Sequence, residues 1–194
     1  MLDYLIVLSY WILDFLPVPR GDAWLLVDYC QRLIVIALLL ALPRFRGLVT
    51  ASDPFRWRPS DIWLAVILGG WTILVFKTAY PWAWHFISYA PRPIAPIDSS
   101  VLWAVDNSIG LMLVAWSEEL LYTVAFLSVA KKWPASTAIL AGAALFALDH
   151  FGRGPALMLA AFLSHIPFLV VYRHTRSFAP IFWGHYSADL LLLA

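Results

Sequence analysis

The stretch 107-NSIGLMLVAWSEELLYTVAFLSVA-130 decides both the fold and the chemistry of this chain. It is long and apolar enough to cross a bilayer, yet it contains Glu118 and Glu119, the only two glutamates in the protein. An ionised carboxylate at bilayer depth costs about 2.5–3.5 kcal/mol on insertion scales and more on an isolated helix. Two adjacent carboxylates therefore indicate either a polar contact that joins helices or a catalytic group inside the membrane.

The composition of the whole chain is that of a polytopic membrane protein. Of its 194 residues, 62% are hydrophobic and 13% are charged, and eleven are tryptophans. Soluble domains carry about 25% charged residues. A net charge of +1 without a basic stripe argues against a nucleic-acid partner, and a single cysteine excludes both an internal disulfide framework and a cysteine-rich metal site. The partner that this composition implies is the lipid bilayer.

Apolar runs separated by proline and glycine predict an all-α bundle of about six to seven transmembrane helices in one integral membrane domain, residues 1–194. The first run is short and carries Asp14, so it is expected to lie at the interface. It lacks the features of a cleaved signal peptide, and we expect it to be retained. The predicted helices cover residues 4–18, 23–42, 61–79, 101–130, 135–151, 154–172 and 178–193.

Basic residues predict the orientation of these helices, because short cytoplasmic loops are enriched in lysine and arginine. Three alternate loops hold eight basic residues, whereas the loops between them hold three. We therefore expect a cytoplasmic N-terminus, an outer C-terminus and, in bacteria, a place in the inner membrane. Helical rise then places the glutamates and His150 in the outer half of the bilayer. The eight residues are Arg44, Arg46, Arg56, Arg58, Lys131, Lys132, Arg173 and Arg176.

Two later helices carry further ionisable groups at membrane depth. In Phe146-Ala-Leu-Asp-His150 the histidine lies one turn after the phenylalanine and on the same face. In His185-Tyr-Ser-Ala-Asp189 an imidazole and a carboxylate share one face of the last helix. A bundle can bring such groups together around one water-filled pocket. By contrast, His165, two residues before Pro167, is interpreted as part of a helix irregularity.

These groups suit the cleavage of a peptide bond. A desolvated carboxylate gains basicity and can take a proton from water. His150 can share that water and later protonate a leaving amine. His185 and Asp189 can stabilise the oxyanion, the carboxylate doing so only if it is protonated or orients the imidazole.

Ser117-Glu118-Glu119, Phe146-x-x-x-His150 and His185-x-x-x-Asp189, in this order, resemble the three motifs of the CPBP family of intramembrane proteases, the CAAX-protease-like or Abi group. The resemblance covers approximately residues 100–194. It implies a glutamic-type endopeptidase that needs no cofactor, in which Glu118 and His150 activate water and His185 and Asp189 form the oxyanion site. The implied substrate is a membrane protein or peptide with a hydrophobic segment, for example a C-terminal anchor processed in exosortase-like protein sorting.

Two positions depart from the family pattern. Thr123 stands where the first motif has arginine, so Glu119 either stays protonated or needs a distant cation. Arg32, four residues after Asp28 in an earlier helix, is the candidate for that cation. Asp189 stands where asparagine is usual.

Three alternatives remain open from the sequence. Glu118, His150, His185 and Asp189 could instead ligate zinc in a metal-dependent CAAX-type protease, although no His-Glu-x-x-His spacing is present. A catalytically altered immunity or scaffold protein would explain the missing arginine. A proton-coupled transporter also uses carboxylates and histidines, but the chain is small and shows no internal repeat.

Overall fold

A computed structural model describes residues 20–86 and 97–193 of the chain. The predicted helix at 4–18, with Asp14, and most of the proline-rich connection between the second and third long runs lie outside these ranges. Within them the secondary structure is helical, without strands. We number the helices α1 Arg20–Ala41, α2 Pro43–Ala51, α3 Pro59–Phe86, α4 Ser100–Lys132, α5 Ala135–Asp149, α6 Pro155–Thr175 and α7 Ala179–Leu193.

The predicted all-α polytopic class is confirmed. Among the described residues, α1, α3, α4 and α6 are each long and apolar enough to cross a membrane. The shorter helices α5 and α7 have 15 residues each, which corresponds to about 22 Å of helix. Helix α2 was not predicted; it begins at Pro43, a residue that suits the first turn of a helix.

Helices α4 and α6 form the centre of the bundle. Of the membrane-crossing window, 56% is buried in α4 and 44% in α6, against 29% in α1 and 28% in α3. Large apolar side chains cover the outer faces of α1 and α3, where acyl chains would surround them. Examples are Leu33, Ile34, Leu38, Ile62, Trp63, Ile67 and Leu74.

Helix α4 is not the regular helix that the sequence predicted. It widens into π-helical turns at Asp106–Gly110 and again at Glu119–Ala125. At the first of these turns, Asn107 and Ser108 donate hydrogen bonds to carbonyls of their own helix, and the helix continues through this polar stretch. The second turn begins at Glu119, and π-type turns are frequent at functional sites.

Helices α3 and α7 cross closely through two glycines. A Cβ atom added at Gly184 would lie 2.8 Å from Leu68 Cβ and 3.2 Å from the carbonyl oxygen of Ala65. One added at Gly69 would meet Ser187 Oγ at 2.7 Å. Small residues allow helix backbones in membranes to approach each other. This crossing fixes the position of α7, and with it the side chain next to Gly184, which is His185.

The three basic segments lie at the same end of the bundle, which we call the basic end. The guanidinium of Arg44 donates to the carbonyl of Ser128, close to Lys131. Arg58 donates to the carbonyl of Thr175. The opposite end is marked by Asp22, whose carboxylate accepts the backbone N–H groups that precede α4. Which end faces the cytoplasm remains a prediction.

Candidate active site

A buried polar cluster forms where α4, α6 and α7 meet, with α1 alongside. Glu118 is 7% exposed, Glu119 and Thr123 are fully buried, and His185 is 8% exposed. Charged groups in so apolar a setting persist only when they are paired and hydrogen-bonded. The contacts of each one therefore show what it is able to do.

Glu118 is held by a cation from α1. Its Oε1 accepts a hydrogen bond of 2.9 Å from Nη1 of Arg32. The same guanidinium donates to Asp28 Oδ2 at 2.7 Å and to the hydroxyl of Ser117 at 3.1 Å. Arg32 is thus ion-paired with Asp28, one turn earlier on the same helix. The predicted target of Arg32 was wrong, because the guanidinium contacts Glu118 rather than Glu119.

Glu119 is held instead by a hydroxyl and an imidazole. Thr123 lies one turn along the widened part of α4, and its hydroxyl donates to Oε2 at 2.7 Å. Nδ1 of His185 lies 2.9 Å from Oε1. Both oxygens of this fully buried carboxylate therefore have a hydrogen-bond partner.

His185 lies between three carboxylates. While Nδ1 contacts Glu119, Nε2 lies 3.6 Å from Glu118 Oε2 and 3.4 Å from Asp189 Oδ2. His185 and Asp189 thus face the same way, as their spacing predicted. Both Nε2 distances exceed the length of a typical N–H···O hydrogen bond. When Nε2 carries a proton, it can therefore donate to a third acceptor.

His150 lies at the edge of the cluster, immediately after the end of α5. Its Nδ1 contacts the carbonyl of Phe146 at 3.0 Å, and its ring centroid is 4.8 Å from that of Phe146. Through the Phe146 ring it is linked to the imidazoles of His165 and His185. Because α5 starts at the basic end, His150 lies towards the opposite end, whereas His185 lies near the middle of α7.

Phe146 is central to the arrangement of the imidazoles. Its ring contacts His150, stacks on His165 with centroids 4.1 Å apart, and meets His185 edge-on at 6.0 Å. Aromatic rings at these separations prefer such stacked and edge-to-face geometries. A phenylalanine one turn before His150 thus helps to orient the histidines of α5, α6 and α7.

His165 belongs to this cluster, contrary to the interpretation from sequence. The helix irregularity at Pro167 leaves the carbonyl of Leu163 without its helical donor. Nε1 of Trp71 on α3 donates to that carbonyl at 3.1 Å. His165 points elsewhere, with Nε2 at 3.2 Å from the Thr123 hydroxyl and Nδ1 at 3.8 Å from Glu119 Oε1. Its position within a membrane-depth helix between the second and third motifs was the available signal.

The zinc alternative requires its ligands to converge on one ion. Within the described ranges, no three histidine, cysteine, aspartate or glutamate side chains are arranged to hold a metal ion. One of the four residues of the zinc alternative, Glu118, is ion-paired with a guanidinium, which a divalent cation would repel.

The region of the chain that contains most of the cluster matches a known protein family. Residues 99–191 match the family model of Rce1-like type II CAAX prenyl endopeptidases. This segment runs from the start of α4 almost to the end of α7 and contains Glu118, Glu119, His150, His185 and Asp189. The C-terminal half of the chain is similar to this family over these residues. Neither a curated protein nor a solved structure matches the chain.

The Rce1-like assignment confirms the resemblance to CAAX-protease-like proteins found in the sequence. It supports a membrane protease that acts on a membrane-associated protein or peptide in a lipid bilayer. Arg32 and Asp28 lie on α1, outside the matched Rce1-like region. The cation of the cluster therefore comes from a part of the chain that the family model does not cover.

Proposed function

We propose that the protein is a glutamic-type intramembrane endopeptidase that hydrolyses a peptide bond with water activated by Glu118. The observation that carries this proposal is the convergence of Glu118, on α4, and His185, on α7, in a buried polar cluster. Such a pair supplies a proton acceptor and a proton donor to one small volume, which is the requirement for hydrolysis of an amide.

The two oxygens of Glu118 have different tasks in this proposal. Oε1 is held by Arg32, so Oε2 is the oxygen that accepts a proton from water. The water oxygen forms a bond to the carbon of the scissile carbonyl as its proton moves to Oε2. The C–N bond then breaks, and the proton passes through His150 to the leaving amine. The products are an amine and a carboxylic acid, which then releases its proton to become a carboxylate.

The oxyanion formed in this step needs a donor. His185 is the candidate, because Nδ1 is occupied by Glu119 while Nε2 has only longer contacts. A protonated Nε2 can donate to the developing negative oxygen. Asp189 then orients the imidazole and balances its charge. This division of roles accommodates an aspartate at that position, because the carboxylate need not face the oxyanion itself.

The substrate class that we propose is a C-terminal hydrophobic anchor of an exported protein, cleaved near the outer face of the membrane. The position of His150 towards the end opposite to the basic loops supports this proposal. Orientation by the positive-inside tendency would then open the site to the outer side. A prenylated CAAX peptide is the competing substrate class, since CAAX prenyl endopeptidases give the matched family its name.

Co-expression tests the function and the substrate class together. Single-span proteins with C-terminal anchors, and separately a farnesylated CAAX peptide, are presented to the wild type and to Glu118→Gln. We expect the wild type to shorten at least one anchored protein, and the variant to leave all of them intact. Equal substrate size with both proteins would contradict the proposal, and cleavage confined to the farnesylated peptide would replace the anchor with the CAAX class.

The cluster also bears on the alternative of an altered immunity or scaffold protein. A direct ion pair with Arg32 weakens Glu118 as a base, which favours a protein that keeps the site but not the reaction. That alternative predicts that the wild type cleaves no substrate. It also predicts that Glu118→Gln and His150→Ala retain biological function.

A further inference from the structure

Glu119 makes more hydrogen bonds than a side chain that only fills space between helices would need. This carboxylate is fully buried, and each of its oxygens has a short hydrogen bond, from Thr123 and from His185. Thr123 occupies the position where the family pattern has arginine. Because a threonine carries no charge, the position of this hydroxyl depends on the other side chains around it.

His165 is one of the side chains around the Thr123 hydroxyl. The side chain is 2% exposed, and its ring lies between Phe146, at 4.1 Å and 13°, and Phe168, at 5.8 Å and 11°. Such stacking fixes the plane of the imidazole. In that plane Nε2 lies 3.2 Å from the Thr123 hydroxyl. A continuous chain of contacts thus runs from Glu119 through Thr123, both on α4, to His165 on α6.

The direction of these hydrogen bonds follows from counting protons. With Glu119 ionised, its oxygens can only accept, whereas a threonine hydroxyl has one proton to donate. At 2.7 Å, the proton of Thr123 is committed to Glu119 Oε2. The Thr123 oxygen can then only accept from His165, so Nε2 of His165 must carry a proton. On the other side of Glu119, Nδ1 of His185 must carry one as well.

We propose that Thr123 and His165 act as a positioning pair for Glu119 and, through it, for His185. They take the place of the absent arginine by fixing one oxygen of Glu119, which leaves the other to fix the proton on His185 Nδ1. Nε2 of His185 then faces Glu118 and Asp189, where the reaction needs a donor. This inference rests on the proposed endopeptidase function, because the ring that the pair positions is the proposed oxyanion donor.

The kinetic test uses substitutions that keep shape. Thr123→Val removes the hydroxyl, Thr123→Ser restores it, and His165→Phe keeps the stack while removing both nitrogens. We expect Thr123→Val and His165→Phe each to lower kcat about 10- to 100-fold, the weight of one hydrogen bond to a charged group, with KM nearly unchanged. Thr123→Ser should recover most of kcat. The double variant should be no slower than the slower single variant, because the residues act as one unit.

Thr72→Val is the matched control. Thr72 is also buried, but its hydroxyl donates to the carbonyl of Leu68 in its own helix α3. A loss of kcat in Thr72→Val equal to that in Thr123→Val would reduce the effect to general packing and overturn the proposal. Wild-type kcat in either Thr123→Val or His165→Phe would overturn it as well.

A spectroscopic test does not depend on activity. The chain has five histidines, so ¹⁵N-histidine NMR of the wild type in detergent micelles can resolve the protonation of each ring, with assignment by substitution of each histidine in turn. We expect His165 protonated at Nε2 and His185 protonated at Nδ1. A bare Nε2 on His165 would overturn the proposal. If the wild type cleaves no substrate but the NMR result holds, the endopeptidase function fails and the hydrogen-bond chain stands.

Discussion

Each carboxylate of the cluster has a partner of a different kind, and the partner determines what that carboxylate can do. Glu118 has a guanidinium, Glu119 has a hydroxyl and an imidazole, and Asp189 has the far side of that imidazole. Breaking a buried ion pair by removing one member is costly, because the other charge is left uncompensated. Function and stability therefore depend on the same individual side chains.

Substitution of Arg32 tests whether stability and activity depend on the same side chain. Arg32→Gln should destabilise the protein by about 3–5 kcal/mol, because Glu118 and Asp28 would both lose their buried cation. Activity should fall as well. Arg32→Lys should be intermediate, since an ammonium keeps the charge but not the planar fork that reaches three side chains. Denaturant unfolding in detergent measures the stability, and substrate cleavage measures the activity.

The control for Arg32 is Arg56→Gln at the exposed basic end, which should change the free energy of unfolding by less than about 0.5 kcal/mol. Wild-type stability and cleavage in Arg32→Gln would show that Glu118 does not depend on a cation from α1.

At the scale of elements, the site depends on helix crossings as much as on its polar residues. His185 follows Gly184, and the close approach of α7 to α3 at that glycine sets where the imidazole lies. The widened turn of α4 at Glu119 places two adjacent carboxylates within one cluster. Small shifts of these elements would separate groups that now lie within 3–4 Å.

Gly184→Ala tests the crossing directly. The added methyl would meet Leu68 Cβ at 2.8 Å and a backbone carbonyl at 3.2 Å, neither of which can rotate away. We expect a loss of about 1–3 kcal/mol in stability from overpacking, with a parallel loss of cleavage as α7 moves. Gly70→Ala is the matched control, because a Cβ there meets nothing within 4 Å. Equal melting temperatures for the two variants would contradict this account of the crossing.

The sequence predicts the helices more readily than the way in which the helices pack against one another. The apolar runs predicted the helices, and residue spacing placed His185 with Asp189 and Thr123 with Glu119 on shared faces, because such spacings lie within one helix. The partner of Arg32 and the role of His165 depend on how different helices pack. Residue spacing along one helix does not encode that packing. The sequence therefore pointed to Glu119 rather than Glu118 as the partner of Arg32. It also assigned His165 to the helix irregularity at Pro167, where Trp71 supplies the hydrogen bond instead.

At the scale of the whole molecule, charge is separated along the bundle. The basic segments gather at one end, while His150 and the aspartates that precede α4 lie towards the other. A protein with this polarity has a defined orientation in a membrane. The side from which substrate reaches the cluster follows from that orientation.

Cysteine labelling tests the orientation. In a Cys30→Ser background, which removes the only cysteine, Lys131→Cys reports on the basic end and Arg153→Cys on the opposite end, both at exposed positions. A membrane-impermeant maleimide should label Arg153→Cys in intact bacterial cells and label Lys131→Cys only after permeabilisation. The reverse pattern would place the basic end outside and would remove the argument for cleavage near the outer face.

The central claim is that Glu118, held in a buried cluster, activates the water that cleaves the substrate. The most direct measurement is kcat of the purified wild type and of Glu118→Gln in proteoliposomes, on the substrate found by co-expression, with thermal unfolding recorded for both proteins. The account predicts that the folded variant loses about 10²- to 10⁴-fold in kcat, as expected for removal of a general base. A folded Glu118→Gln protein that cleaves at the wild-type rate would contradict it.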